Sequence, residues 1–99
     1  MVIWHGILTV QPGKREAYVE EIRRAGLIEK FLKHPGNVFY NLAASVSNPD
    51  QLVVVDCWED EAAFVAHDTS ADVDVWREIY ARYVTDCQSE LYECAYKTL

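Results

Sequence analysis

Several features are scarce in this chain, and each scarcity excludes a class of protein. Lys and Arg number 9 against 16 Asp and Glu, so the formal net charge is -7. Such a field repels phosphate backbones and anionic lipid surfaces. No apolar run approaches the roughly 20 residues of a membrane-spanning helix, and the segment 1–5 lacks the basic flank of a signal peptide. We therefore expect a cytoplasmic protein that binds neither nucleic acid nor membrane.

Cysteine is also rare, and its spacing fits neither a disulfide framework nor a zinc site. Cys57, Cys87 and Cys94 are odd in number and form no Cys-x-x-Cys pair. We expect free thiols that pack as small apolar groups. The chain has no metal triad, no glycine-rich phosphate loop and no Gly-x-Ser-x-Gly elbow, which disfavours metallohydrolases, nucleotide enzymes and serine hydrolases. No metal site is predicted.

The residues that are present predict one globular domain over residues 1–99, because 51% are apolar and 25% are charged. Period-two patterns rich in β-branched and aromatic residues predict strands at 2–10, 37–47, 52–58 and 89–98. Helical periodicity predicts helices at 14–34, with a kink or division at Gly26, at 61–67 after an Asp60 cap, and at 72 to about 86. This order indicates an α+β fold, the ferredoxin-like split βαβ arrangement with a four-stranded antiparallel sheet covered by helices on one side.

Both faces of the predicted strands are apolar. In the strand 52–58, Leu52 and Val54 share one face while Val53 and Val55 share the other. A sheet face open to water normally carries polar residues, so the side without helices should be covered. A second copy of the chain is the favoured cover, which predicts a homodimer. Alternatively, a helical segment or the tail folds over that face in a monomer.

A set of short motifs resembles the antibiotic biosynthesis monooxygenase domain over nearly the whole chain. The motifs are Pro12-Gly13-Lys14, Pro35-Gly36, Asp56-Cys57-Trp58-Glu59-Asp60-Glu61-Ala62 and Ala66-His67. The resemblance implies a dimeric α/β barrel in which each subunit encloses a largely apolar pocket. Members of the family include cofactor-free oxygenases of quinols or polycyclic phenols, haem-degrading enzymes, and isomerases. A shared fold does not choose among these activities.

Two departures from the family pattern bear on cofactors. Haem-degrading members use an Asn near the end of the first strand, a Trp in the short helix and a His in the next helix. The corresponding residues here are Gly6, His67 and Arg77, which disfavours haem and leaves no expected cofactor. The family's common second His after the short helix is replaced by Asp72, which argues against a two-histidine site at that position.

His67 and Asn41 are the predicted catalytic residues. An imidazole takes a phenolic proton and so prepares an electron-rich ring for oxygen. The Asn41 amide is suited to hold a substrate carbonyl or oxyanion. Alternatively, His67 only caps or packs at a helix end, and Asn41 pairs with backbone at the sheet edge.

An aromatic pocket is predicted around these two residues. A small apolar or aromatic ligand would be bound by His5, Trp58, Trp76, Tyr80 and Tyr92. Alternatively, these side chains are ordinary core residues. The leading interpretation is a cofactor-independent monooxygenase of quinol or polycyclic phenolic substrates, and the alternatives are a non-catalytic binding domain and a haem-binding variant.

Overall fold

The computed structural model describes residues 1–99 and contains a single antiparallel sheet with four helices. The elements in chain order are β1 (Val2–Val10), α1 (Arg15–Arg24), α2 (Leu27–Leu32), β2 (Asn37–Ala44), β3 (Gln51–Trp58), α3 (Glu61–Asp68), α4 (Ala71–Tyr83) and β4 (Val84–Glu93). The strands lie in the order β2-β3-β1-β4, and every neighbouring pair is antiparallel. The predicted ferredoxin-like α+β class is confirmed. Within one chain the sheet is open and does not close into a barrel.

Gly26 divides the long helix predicted at 14–34. Its backbone adopts the left-handed conformation, with φ 62° and ψ 30°, which ends the first helical segment and begins the second in a new phase. This change of phase rotates the apolar side of the second segment relative to the first. Tyr18 and Leu27 are fully buried, whereas Leu32 is 49% exposed.

The last strand begins earlier than predicted. β4 starts at Val84, directly after α4, and ends at Glu93, instead of covering residues 89–98. Polar residues between 85 and 90 hide the strand pattern, but β4 pairs with β1 from Val10 to Val2 and gains a full ladder of hydrogen bonds. Tertiary pairing thus overrides the local pattern.

The predicted cap of α3 is confirmed, because the Asp60 side chain accepts a hydrogen bond from the Ala63 amide at 2.8 Å.

The core lies between one face of the sheet and the helices. Sheet residues in it are Leu8, Val10, Leu52 and Val54, and helical residues in it are Tyr18, Ile22, Leu27, Phe31, Val73 and Ile79. All three cysteines are free, and Cys57 is buried. None of the four helices has the length and apolar character that crossing a bilayer would require.

The opposite sheet face carries no helix, and we call it the bare face. Strand alternation places Ile3 and Ile7 of β1 on this face, beside Val53 and Val55 of β3. These apolar side chains occupy the centre of the sheet, and polar residues of β4 border them. The sequence pattern that predicted two apolar faces is therefore realised in three dimensions.

Candidate active site

An aromatic cavity lies between the covered face of the sheet and helices α2, α3 and α4. Its volume is about 70 Å³, and it opens partly to solvent. Three polar residues, Asp56, His67 and Asp68, also line it. The apolar lining consists of Trp4, Phe31, Tyr40, Phe64, Val73 and Trp76.

His67, in the last turn of α3, is buried with only 6% of its surface exposed. The Trp58 indole stacks on its ring at 4.4 Å, and the Phe31 ring meets it edge-on at 4.8 Å. Burial, which strips water from the charged imidazolium, and to a lesser extent the nearby His34 together lower the pKa of His67 to about 4. The imidazole is therefore neutral at neutral pH.

A second histidine contacts His67. The Nδ1 atoms of His34 and His67 lie 2.9 Å apart, and His34 Nε2 lies 2.8 Å from Asp72 Oδ2. In the sequence, residue 34 only ends the predicted helix 14–34, and Asp72 argued against a two-histidine site at its position. The partner comes instead from the loop before β2, which pairs with the end of β3 through Asn37 and Trp58. No local pattern in the sequence pointed to this contact, because it depends on strand register.

Asp56 is a buried carboxyl group in the cavity wall. Its side chain is 2% exposed, Oδ2 accepts a hydrogen bond from Trp58 Nε1 at 2.7 Å, and Oδ1 has no partner in the chain. Burial raises the pKa of Asp56 to about 6, against the opposing effect of the Trp58 hydrogen bond. Asp56 was not predicted as a site residue from the sequence, where it belongs to the motif 56–62. The missed signal was an acidic residue on the same strand face as Leu52 and Val54.

Of the predicted aromatic residues on the covered side of the sheet, one lines the cavity and two pack behind residues that line it. Trp76 lines the cavity, and Tyr80 packs against it with ring centroids 5.0 Å apart. Trp58 is fully buried behind His67 and does not line the cavity. Both Trp58 and Tyr80 therefore hold lining residues in place.

The other predicted residues lie on the bare face. Asn41 follows Tyr40, which faces the cavity, so strand alternation directs Asn41 to the opposite side of the sheet. His5 lies there too, with Nδ1 3.3 Å from Glu90 Oε2, and Tyr92 is half-exposed opposite Ile3. Within one chain, the structure does not bring these three residues together with His67. The sequence showed which residues of a strand share a face, but not which face the helices cover.

The fold and cavity define a ferredoxin-like α+β domain with an aromatic site between its sheet and helices. The sequence pattern of the family described as "Antibiotic biosynthesis monooxygenase" matches residues 1–79, and the chain belongs to this family. The chain is 30% identical over 71 residues to "Putative monooxygenase YcnE" of Bacillus subtilis, covering 72% of this chain and 73% of that protein.

Solved structures with this fold come from distant organisms. A Nitrosomonas europaea protein matches with a TM-score of 0.86 at 23% identity, covering 97% of this chain and 100% of the other. Rv0793 of Mycobacterium tuberculosis matches with a TM-score of 0.84 at 16% identity, covering 99% and 98%. At these identities the likeness concerns the fold alone.

Proposed function

We propose that this protein is a cofactor-independent monooxygenase of an aromatic substrate, with His67 as the base. The observation that carries the proposal is a neutral, buried imidazole in the wall of an aromatic cavity, in a chain of this family. A phenolic O–H donates its proton to His67, and the electron pair stays on the substrate oxygen. The electron-rich ring then reacts with dioxygen. For a quinol the balance is one oxygen atom entering the ring and one leaving as water, which gives a hydroxylated quinone.

The cavity favours a small quinol over a polycyclic phenol. A cavity of about 150 Å³ accommodates benzene, whereas this cavity measures about 70 Å³. One ring therefore enters only when side chains of the lining move, and several fused rings require more displacement. The unpartnered Oδ1 of Asp56 suits a second hydroxyl group, because a buried acceptor gains most from a donor. We therefore expect quinols to react faster than monophenols.

Haem does not fit this site. Its macrocycle is far larger than the cavity, and the Trp4 ring lies across Gly6, where a Cβ atom would come within 2.4 Å of that ring. The positions that correspond to the haem-degrading residues are Gly6, His67 and Arg77. We propose chemistry without haem.

Location in the cytoplasm remains a prediction, with which three free thiols are consistent.

We also propose that two chains pack through their bare faces as a homodimer. Ile3, Ile7, Val53 and Val55 form an apolar centre bordered by polar β4 residues, and this is the pattern of a self-complementary interface. Each chain keeps its cavity on the far side of its own sheet. The dimer therefore has two sites, and it buries His5, Asn41 and Tyr92 near the interface.

Oxygen uptake with a panel of quinols, monophenols and polycyclic phenols tests the activity. His67→Ala should lower kcat by about 100-fold or more, the usual contribution of a general base. His5→Ala is the matched control, because it removes a histidine from the opposite sheet face and should leave kcat within a few-fold. Equal uptake by wild type and His67→Ala would refute the role of His67. Thermal shifts with these ligands and no uptake would instead support a non-catalytic binding domain.

A further inference from the structure

Three side chains from separate elements form a hydrogen-bonded row that ends at the cavity. Asp72 belongs to the first turn of α4, His34 to the loop after α2, and His67 to the last turn of α3. The joining distances are 2.8 Å from Asp72 Oδ2 to His34 Nε2 and 2.9 Å between the two Nδ1 atoms. Exposure falls along the row, from 36% for the Asp72 side chain to 16% for His34 and 6% for His67. The row therefore runs from solvent to the cavity wall.

The placement of protons in this row follows from its geometry. An ionised carboxylate only accepts, so His34 Nε2 carries the hydrogen that Asp72 receives. A neutral His34 then has a lone pair on Nδ1, and the 2.9 Å contact requires a donor opposite it. That donor is the N–H at Nδ1 of His67, which leaves the lone pair of His67 on Nε2. An isolated imidazole prefers the other tautomer, so the row reverses the default.

We propose that His34 and Asp72 are positioning residues that fix His67 in the Nδ1–H tautomer, with Nε2 as the proton acceptor at the cavity. The catalytic meaning of this arrangement rests on the proposed function, whereas the tautomer is a property of the resting protein. In the proposed step the substrate O–H bond breaks and the Nε2–H bond of His67 forms. The Nδ1–H group of His67 continues to donate to His34 throughout.

Electrostatics support this role for the row. Burial and His34 lower the pKa of His67, and the Asp72 carboxylate acts in the opposite direction. A base buried among aromatic rings needs such a counter-charge when it takes up a proton, and Asp72 supplies it through His34. Both histidines also border a shallow surface depression with Pro35, Ala66 and Ser70. The row thus extends from the cavity wall to the solvent-exposed surface.

Histidine tautomers in the substrate-free protein test the proposal directly. Long-range ¹H–¹⁵N correlation spectra at neutral pH resolve the three histidines of the chain, and the missing signal of His67→Gln assigns His67. The expected pattern is Nδ1–H with unprotonated Nε2 for His67, and Nε2–H with unprotonated Nδ1 for His34. An Nε2–H tautomer of His67, or a doubly protonated His34, would overturn the proposal.

Asp72→Asn tests the far end of the row. Its neutral amide is a weaker acceptor than the carboxylate and also offers an N–H donor to His34 Nε2, which favours the His34 hydrogen at Nδ1 and the Nε2–H tautomer of His67. The variant should lower kcat at least tenfold with little change in KM, while Asp74→Asn, an equal charge change on the same helix, alters neither spectrum nor rate. In a His34→Gln background the effect of Asp72→Asn should vanish, because Asp72 acts only through His34. An unchanged His67 tautomer in Asp72→Asn would refute the role of Asp72.

The two proposals fail in different ways. The predicted tautomers without oxygen uptake on any substrate would leave the row intact and refute the monooxygenase. Oxygen uptake that depends on His67, together with an Nε2–H His67, would retain the activity and refute the row.

Discussion

The Trp58 indole stacks on the His67 ring, with centroids 4.4 Å apart and planes inclined by 27°. The same indole donates a hydrogen bond of 2.7 Å to Asp56. One fully buried side chain therefore supports both the Asp56 carboxyl group of β3 and the His67 imidazole of α3. Replacing Trp58 should therefore change the environment of both Asp56 and His67.

Replacing Trp58 with Phe should destabilise the protein by an amount that depends on pH. The substitution keeps an aromatic ring beside His67 but removes the hydrogen-bond donor to Asp56. At about pH 8, where Asp56 is ionised, we expect a cost of roughly 1–3 kcal/mol from the unpaired carboxylate, in addition to the cost of the smaller ring. At about pH 4 the carboxyl group is protonated, so the lost hydrogen bond joined neutral groups and the cost is smaller. Urea unfolding at both pH values measures the difference, and an equal cost at both would contradict it.

The free energy of unfolding should contain two opposing pH dependences. The pKa of Asp56 rises from 3.8 to about 6 on folding, so its contribution is present at low pH and is lost as the pH rises through 6. The pKa of His67 falls from 6.5 to about 4, so its contribution is present above pH 6.5 and is lost as the pH falls towards 4. In the wild type these two slopes largely cancel.

Single substitutions should separate these two slopes. Asp56→Asn should make stability rise more steeply with pH between about 4 and 6.5, because only the His67 effect remains. His67→Gln should make stability fall over the same window. The exposed Asp74→Asn serves as control and should keep the wild-type slope. Parallel curves for all three variants, obtained by urea unfolding across this range, would rule out burial as the cause of both pKa shifts.

Gly6→Ala should displace Trp4 from the cavity wall. An added Cβ would lie 2.4 Å from the Trp4 ring, which is closer than any tolerated contact. We expect a cost of about 1–3 kcal/mol from the strain, and altered tryptophan fluorescence. In a Trp4→Leu background the cost should fall to near zero, because the clash is absent. A full cost in that background would show that backbone strain, and not Trp4, opposes the substitution.

Val55→Glu should disrupt the proposed homodimer. The side chain lies at the centre of the bare face, where a carboxylate would meet its own copy in an apolar interface. Light scattering should give the 11.4 kDa mass of one chain for the variant and twice that mass for wild type. Val65→Glu, on the exposed surface of α3, is the matched control and should remain dimeric. A wild-type mass of one chain would refute the dimer.

Local patterns in the sequence were sufficient to predict most of the fold. Asp60 before an apolar helix and Gly26 within a helical stretch act through their immediate neighbours, and both behave as predicted. The start of β4 was not predictable in this way. Its first residues are polar and gain their strand conformation only by pairing with β1.

The candidate site was only partly predictable from the sequence. His67 was found because its position after a helical Ala66 resembles the family pattern. His34 was missed because its role depends on a partner 33 residues away along the chain. Asp56 was missed although its place on an apolar strand face was visible in the sequence, since only helix packing shows that it shares a cavity with His67. Asn41 was chosen by residue type, and the structure directs it away from His67.

By itself, the sequence determined the order of strands and helices, the antiparallel sheet and the two apolar faces of its strands, since these follow from local conformational preference and side-chain alternation. Only the tertiary structure decided which face receives the helices. That choice separates His67 from Asn41 and joins it to His34 and Asp72. The reason is physical: hydrogen-bonded contacts between residues distant in sequence require strand register and helix packing, and no local pattern encodes either.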